Sequence, residues 1–287
     1  MSSMRFPPLP ADTAHAAETA FGRDHPHLKI GREIEAALNG FELPAPLPQD
    51  TMLAKTLPLY SLASVLQYWE DLTDHQMVGA TRNRLDLKYA LHLPLDFPGF
   101  EPWTLCKFRQ QALADPSVKE AFQEIVDRLR KFALDPGKSR ADADQIITAL
   151  CLLSRAETVV EAMGNALEAV ATHCPDWLLS NALPHWYRRY YQRPEPQQIP
   201  REAEKIEELL QNVGKDGQHL LATLCRTNAL GCSNLPEIQE LRRMTARQFE
   251  PSGAELRWRS EGCSFCAGAL QGVNTTAKKG GFPKSIL

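Results

Sequence analysis

The chain has 287 residues, and 32 Lys+Arg against 35 Asp+Glu leave a formal charge of −3. That length suggests two domains, or three at most, while 43% hydrophobic and 23% charged residues exclude wholesale disorder, collagen and coiled coil. A sequence pI near 6.3 argues against a uniformly basic coat for nucleic acid but leaves room for a local basic face.

Apolar runs such as Ile146-Ile147 and Leu150 to Leu153 break far short of the roughly 18 residues that span a bilayer. Met1 to Pro10 shows no basic stretch followed by an apolar one, so no secretory leader is expected. The seven cysteines are odd in number, and Cys106, Cys151, Cys174, Cys225 and Cys232 stand singly. That pattern suits free thiols and a cytoplasmic, non-membrane protein.

Residues 1–50 carry Pro7, Pro8, Pro10, Pro26, Pro44, Pro46 and Pro48. This density predicts an arm wrapped on a later core, with one short helical run around Ile34 to Leu38. From Leu57 the spacing of Leu59, Leu62, Leu66 and Trp69 predicts one face of a helix. Thr73, with Gln76 three residues on, is a capping-box pattern that restarts the chain as a second helix with Met77, Val78 and Thr81 inward. A third apolar stretch runs from Leu85 to Leu91. Two helices across a capped turn, then a third, outline a helix-turn-helix module.

A proline loop from Pro94 to Pro102 leads to a helix through Leu105, Phe108 and Leu113. Pro116-Ser117 with Glu120 predicts a second capping box, opening a helix that ends near Phe132. Asp135-Pro136-Gly137-Lys138-Ser139 is turn chemistry and marks the first domain boundary. Beyond it, apolar positions from Ile146 to Val170 trace a long amphipathic helix or a bent pair, ending at Cys174-Pro175. Helices are then expected over 202–213, closed by Gly214, over 217–230 and over 235–249. Past Arg259 the chain turns glycine-rich without apolar period and reads as a loose tail. The fold class is therefore mainly α, with regions 1–50, 51–134, 135–260 and 261–287.

Candidate chemistry is sparse. Arg82, Arg84, Lys88, Lys107 and Arg109 outnumber Asp86, Asp96 and Glu101 between positions 82 and 109. Such side chains on one face would pair with phosphates or read guanine, although periodicity alone favours the solvated face of a small helical bundle. Trp186-Tyr187-Arg188-Arg189-Tyr190-Tyr191 interleaves rings and bases. It suits single-stranded DNA, or else core rings with snorkelling arginines, which is the reading favoured here. Cys263-Ser264-Phe265-Cys266 is a lone C-x-x-C without a second ligand pair. His25 and His27 have no third ligand near them in sequence and read as loop residues. Asp142 and Asp144 are two apart, which on a strand could share a metal and on a helix are first-turn caps.

Several stretches then resemble the N-terminal domain of bacterial insertion-sequence transposases, the module named after the InsH transposase. They are Leu66 to Asp74, Arg82 to Leu91, Pro98-Gly99-Phe100 and Leu105 to Arg109, beside the family's "Q-x-x-E-x-L-S-D-R-Q", "R-x-R-I-D-W-K-Y-A-L", "G-F-D" and "L-S-x-F-R" patterns. Arg155 to Ala162, Pro175 to Leu178, Val213 to Gly217 and Arg257-Trp258-Arg259 extend the likeness downstream.

The resemblance implies a DDE transposase, in which three carboxylates of a ribonuclease-H-like domain hold two Mg²⁺ ions for in-line attack on phosphodiesters. It places Asp142 at the first metal-binding, catalytic Asp, without the hydroxyl residues and His that flank it in the family. It also implies double-stranded DNA at insertion-element terminal repeats as the partner, bound through Arg82, Arg84, Lys88, Lys107 and Arg109. The stretches that would carry the other two carboxylates do not follow Arg259, so the expectation is a truncated catalytic domain that does not bind Mg²⁺ alone. Three outcomes stay open: DNA binding with transposition lost, the active half of a split enzyme, or a repressor or relic. Pairing with itself or with a full-length transposase belongs to the last two.

Overall fold

The computed structural model describes residues 6–38, 52–132, 137–191, 199–227, 230–253 and 255–259. It is mainly helical, as expected, with one two-stranded antiparallel hairpin among the described residues.

The proline-rich start departs from the expected arm. Helices α1 (Ala11–Phe21) and α2 (Pro26–Leu38) both form there. Pro10 is the N-cap of α1 and Pro26 opens α2, where a missing amide costs nothing, so the prolines begin helices and do not interrupt them. Pro44, Pro46 and Pro48 lie outside the described residues. Ile30, Ile34 and Leu38 of α2 join the first core.

Helix α3 (Met52–Trp69) buries Leu62, Leu66 and Trp69, with Leu59 packed beside them. Asp71, at φ 54°, turns the chain out of it. The capping box before α4 (Asp74–Asn83) forms as predicted: the Gln76 amide donates to Thr73 Oγ1 at 3.2 Å and the Thr73 amide donates to Gln76 Oε1 at 3.0 Å. Helix α5 (Leu85–Ala90) follows after Arg84 alone, and Leu87, Tyr89, Ala90 and Leu91 are buried. In the loop beyond, Gly99 sits at φ 94°, and a Cβ there would stand 2.8 Å from the Val78 carbonyl oxygen. Only glycine suits both conditions.

Helix α6 (Pro102–Ala114) packs on α7 (Pro116–Leu129). The expected cap of α7 shifts by two residues, because Asp115 caps the helix by accepting from the Ser117 amide at 2.9 Å. A carboxylate just before Pro116 occupies that role in place of the Ser117 hydroxyl.

Helix α8 (Ala143–His173) is one unbroken 31-residue helix. Its first two turns, through Ile146, Ile147 and Leu150, complete the first core, and Leu153 to Val170 belong to a second core. The second core also takes α11 (Ala203–Arg226), α13 (Pro236–Gln248) and the hairpin β1 (Phe249–Ser252) and β2 (Glu255–Trp258). Short helices α9 (Pro175–Asn181), α10 (Pro184–Trp186) and α12 (Leu230–Ser233) connect these elements, and a π-helical turn, Tyr187–Tyr191, extends α10.

Gly214 does not close a helix. Helix α11 runs straight through it, because a Cβ at 214 would overlap the Phe249 ring; the glycine admits β1 and does not stop the helix. Cys174 and Cys232 form a disulfide with a Cα–Cα distance of 6.6 Å, so these two differ from the free thiols expected. Cys106, Cys151 and Cys225 are not disulfide-bonded. Cys263 and Cys266 lie outside the described residues, as does the tail.

Candidate nucleic-acid interface and its ion-pair networks

Two polar networks, one buried and one half-buried, organise the region from α2 to α6. In the first, Asp74, the first residue of α4, receives Arg109 Nη2 at 2.5 Å and Gln67 Nε2 at 2.9 Å. Gln67 also donates to the Leu72 carbonyl at 3.0 Å, which ties the turn before α4 to α3. Arg109 is only 1% exposed. Burial works against its charge, but Asp74 beside it outweighs that cost and holds the guanidinium ionised.

The second network centres on Arg84, between α4 and α5. Its guanidinium pairs with Glu70 and, at 2.7 Å, with Asp86 Oδ2. Glu70 in turn accepts from His27 Nε2 at 2.6 Å. Burial alone would raise both carboxyls, yet their partners hold Glu70 and Asp86 below the ordinary carboxylate range. The turn before α4 and the start of α5 are thus fixed by charge-assisted hydrogen bonds, which are stronger than neutral ones.

These placements redistribute the five basic residues expected on DNA. Arg84 and Arg109 are committed to carboxylates of their own chain, and Lys88, 4% exposed, donates its Nζ to the Leu95 carbonyl. Lys107 is half-buried on α6. Arg82 is exposed, with Nε donating to the Pro98 carbonyl at 2.8 Å. The structure therefore buries Lys88 and Arg109, holds Arg84 and Lys107 half-buried, and leaves Arg82 exposed. Sequence alone shows charge and not burial, so the count of bases overstated the outward set.

The aromatic-basic stretch follows the favoured reading in part. Trp186 and Tyr190 are core residues, and Tyr190 Oη donates to Asp216 Oδ2 at 2.6 Å. Asp216 on α11 also takes Arg189 and, at 2.8 Å, His185 Nε2. Tyr187 and Arg188 remain exposed.

Asp142 is the N-cap of α8. Its Oδ1 accepts from the Gln145 amide at 2.8 Å, and Gln145 Oε1 accepts from the Asp142 amide at 3.1 Å. Its place is at a helix start and not on a strand. Asp144 pairs with Lys119 at 2.6 Å. Among the described residues, no cluster of three ligating side chains contains Asp142. Mg²⁺ demands near-octahedral oxygen ligands, so the described surroundings of Asp142 do not fit the two-metal site that the resemblance implies. Asp142→Ala is expected to lower stability by about 1 kcal/mol, while Asp142→Asn, an equally good cap, stays within a few tenths. Urea unfolding distinguishes them, and equal losses in both would point to a role for the charge itself.

One acid on α8 is held against its preference. Glu157 Oε1 accepts from Thr73 Oγ1 at 2.5 Å, with Glu161 on its own helix and His75 of α4, 3.7 Å away, facing it. Burial raises the Glu157 carboxyl above its ordinary value. A carboxyl raised on folding opposes folding above its folded pKa and stops doing so below the unfolded one. Glu157→Gln, which keeps an oxygen for Thr73, is therefore expected to stabilise the chain at pH 7. That gain should vanish as pH falls below about 4. Urea titrations at several pH values check it, and a pH-independent difference would contradict it.

Residues 40–111 of the 287 match the family model described as Transposase domain (DUF772), which supports a transposase-family protein. No curated protein and no solved structure matches the chain. The matched span takes in α3, α4, α5, most of α6 and both ion-pair networks, apart from His27. No helix among the described residues is long and apolar enough to cross a membrane.

Proposed function

We propose that the chain is a transposase-derived DNA-binding protein that recognises the ends of an insertion element. The observation that carries this reading is the transposase-domain match over residues 40–111. That span takes in a run of helices with a capping box before α4 and internal charges that are paired. A module pinned in this way presents a fixed surface, which phosphate recognition needs. In this reading Arg82 and Lys107 meet phosphates, and Arg84 and Arg109 hold the helices that carry them. Lys88 acts within the fold through the Leu95 carbonyl.

Strand joining through Mg²⁺ is a separate step. On this reading Asp142 acts as a helix cap, so all three carboxylates of such a site would have to come from elsewhere, from residues outside those described or from a second polypeptide.

The test is fluorescence anisotropy of the full chain with a terminal inverted repeat from a related element and with a scrambled duplex, across a salt series. A preference for the repeat, with affinity falling steeply in salt, supports the reading. Arg82→Ala and Lys107→Ala should each lower the logarithmic salt slope by about 1. Equal, negligible binding to both duplexes at low salt overturns it.

A further inference from the structure

His25 lies in the turn before α2 and His27 in that helix's first turn. His27 is 6% exposed. Its Nε2 stands 2.6 Å from Glu70 Oε1, and an ionised carboxylate only accepts, so Nε2 carries a ring proton and, in the neutral ring, the Nδ1 lone pair is left bare. That Nδ1 is shielded from solvent and has no hydrogen-bond partner. It faces Asp86 Oδ2 at 3.5 Å, too far for a hydrogen bond. The separation matches the edge of a tetrahedron with bonds of about 2.1 Å, near 3.4 Å. His25 Nδ1 is likewise shielded and unpaired. One ring nitrogen from each histidine and one Asp86 oxygen lie within 4.8 Å of one another.

We propose that His25, His27 and Asp86 bind one divalent ion of the zinc class, with Glu70 orienting His27 from behind. Two imidazoles and one carboxylate suit a borderline ion such as Zn²⁺ over the hard ions Mg²⁺ and Ca²⁺. A carboxylate holding the distal N–H of a ligating histidine is the usual support for such a ligand. The fourth position opens on a cavity of about 670 Å³ lined in part by Lys29, Glu33, Arg84 and Lys131, where water completes the coordination.

Arg84 does not forbid the ion. Asp86 Oδ2 accepts from Arg84 through one lone pair and keeps another. Arg84 at +1 with Glu70 and Asp86 at −2 leaves one net negative charge in the network that holds His27, which favours a cation. The competing arrangement, an imidazolium bridging Glu70 and Asp86, needs an Nδ1–H bond to Asp86 that the 3.5 Å separation does not supply. The ion would clamp the start of α2 to the start of α5, a structural role independent of whether the chain binds DNA.

The test uses the full chain stripped with chelator, then titrated with Zn²⁺ or Mg²⁺ by calorimetry and followed by thermal melting. One equivalent of Zn²⁺ should bind and raise the midpoint, with no response to Mg²⁺. His25→Ala should lose that equivalent, while its metal-free melt matches metal-free wild type. Cys263→Ser/Cys266→Ser, which removes the rival thiol pair, should keep it. Failure to bind Zn²⁺, undiminished binding by His25→Ala, or loss of binding in the double cysteine variant each overturns the proposal.

Discussion

Arg109→Ala is expected to lower stability by about 3–5 kcal/mol, because it strands the Asp74 carboxylate in the interior. For a protein of this size that is roughly a 10 °C fall in the melting midpoint. The cost comes from the orphaned charge and not from the pair's own worth. Replacing both partners, Arg109→Leu with Asp74→Leu, should therefore recover much of the loss, although Gln67 also loses an acceptor. Thermal melts of the three variants check this. Were Arg109 a DNA contact at the surface, Arg109→Ala would keep its midpoint and lose only affinity.

Asp216→Ala carries the second large effect. Three groups converge on that 4%-exposed carboxylate: Arg189, Tyr190 Oη and His185. Removing it leaves a half-buried guanidinium and a buried hydroxyl without their acceptor, a loss of about 3 kcal/mol. The effect should also be local, since the segment from Pro184 to Tyr191 is held to α11 through this residue. Limited trypsin digestion should then cut after Arg188 or Arg189 faster than in wild type. An unchanged cleavage pattern would show that Trp186 and Tyr190 hold the segment by packing alone.

What the sequence disclosed depends on how far apart the cooperating residues lie. The Thr73–Gln76 box is local, three residues apart, and could be read directly. So could the apolar face of α3, whereas the periodicity of α8 left one long helix or a bent pair open, and the structure shows the single helix. Gly214 misled because its reason, Phe249, comes 35 residues later. Any glycine after an amphipathic run looks like a stop when its packing partner is out of view. The basic set from Arg82 to Arg109 misled for a related reason. Arg109 and Asp74 are 35 residues apart, and nothing local says that they meet under α3. His25 and His27 looked ligand-poor until folding brought Asp86, about 60 residues on, beside them.

The motifs that carry the transposase resemblance have a common physical character. Gln67, Glu70, Asp74, Arg84, Asp86 and Arg109 all belong to the two polar networks. Those motifs therefore record how the module holds its shape. Arg82, which opens one of those motifs, differs from these in being exposed.

Helix α8 has a consequence for how the chain comes apart. At about 1.5 Å per residue it is a rod of some 46 Å whose first turns finish one core and whose remainder founds the other. The turn where a boundary was expected is stitched as well: Lys138 Nζ donates to the Tyr68 and Trp69 carbonyls at 3.1 Å, sealing the end of α3. A nick near position 135 would therefore not release two autonomous pieces. The N-terminal fragment would lack Ile146, Ile147 and Leu150 from its interior, and the C-terminal fragment would begin on a bare apolar stripe. The two halves share a strut, and they should melt as one.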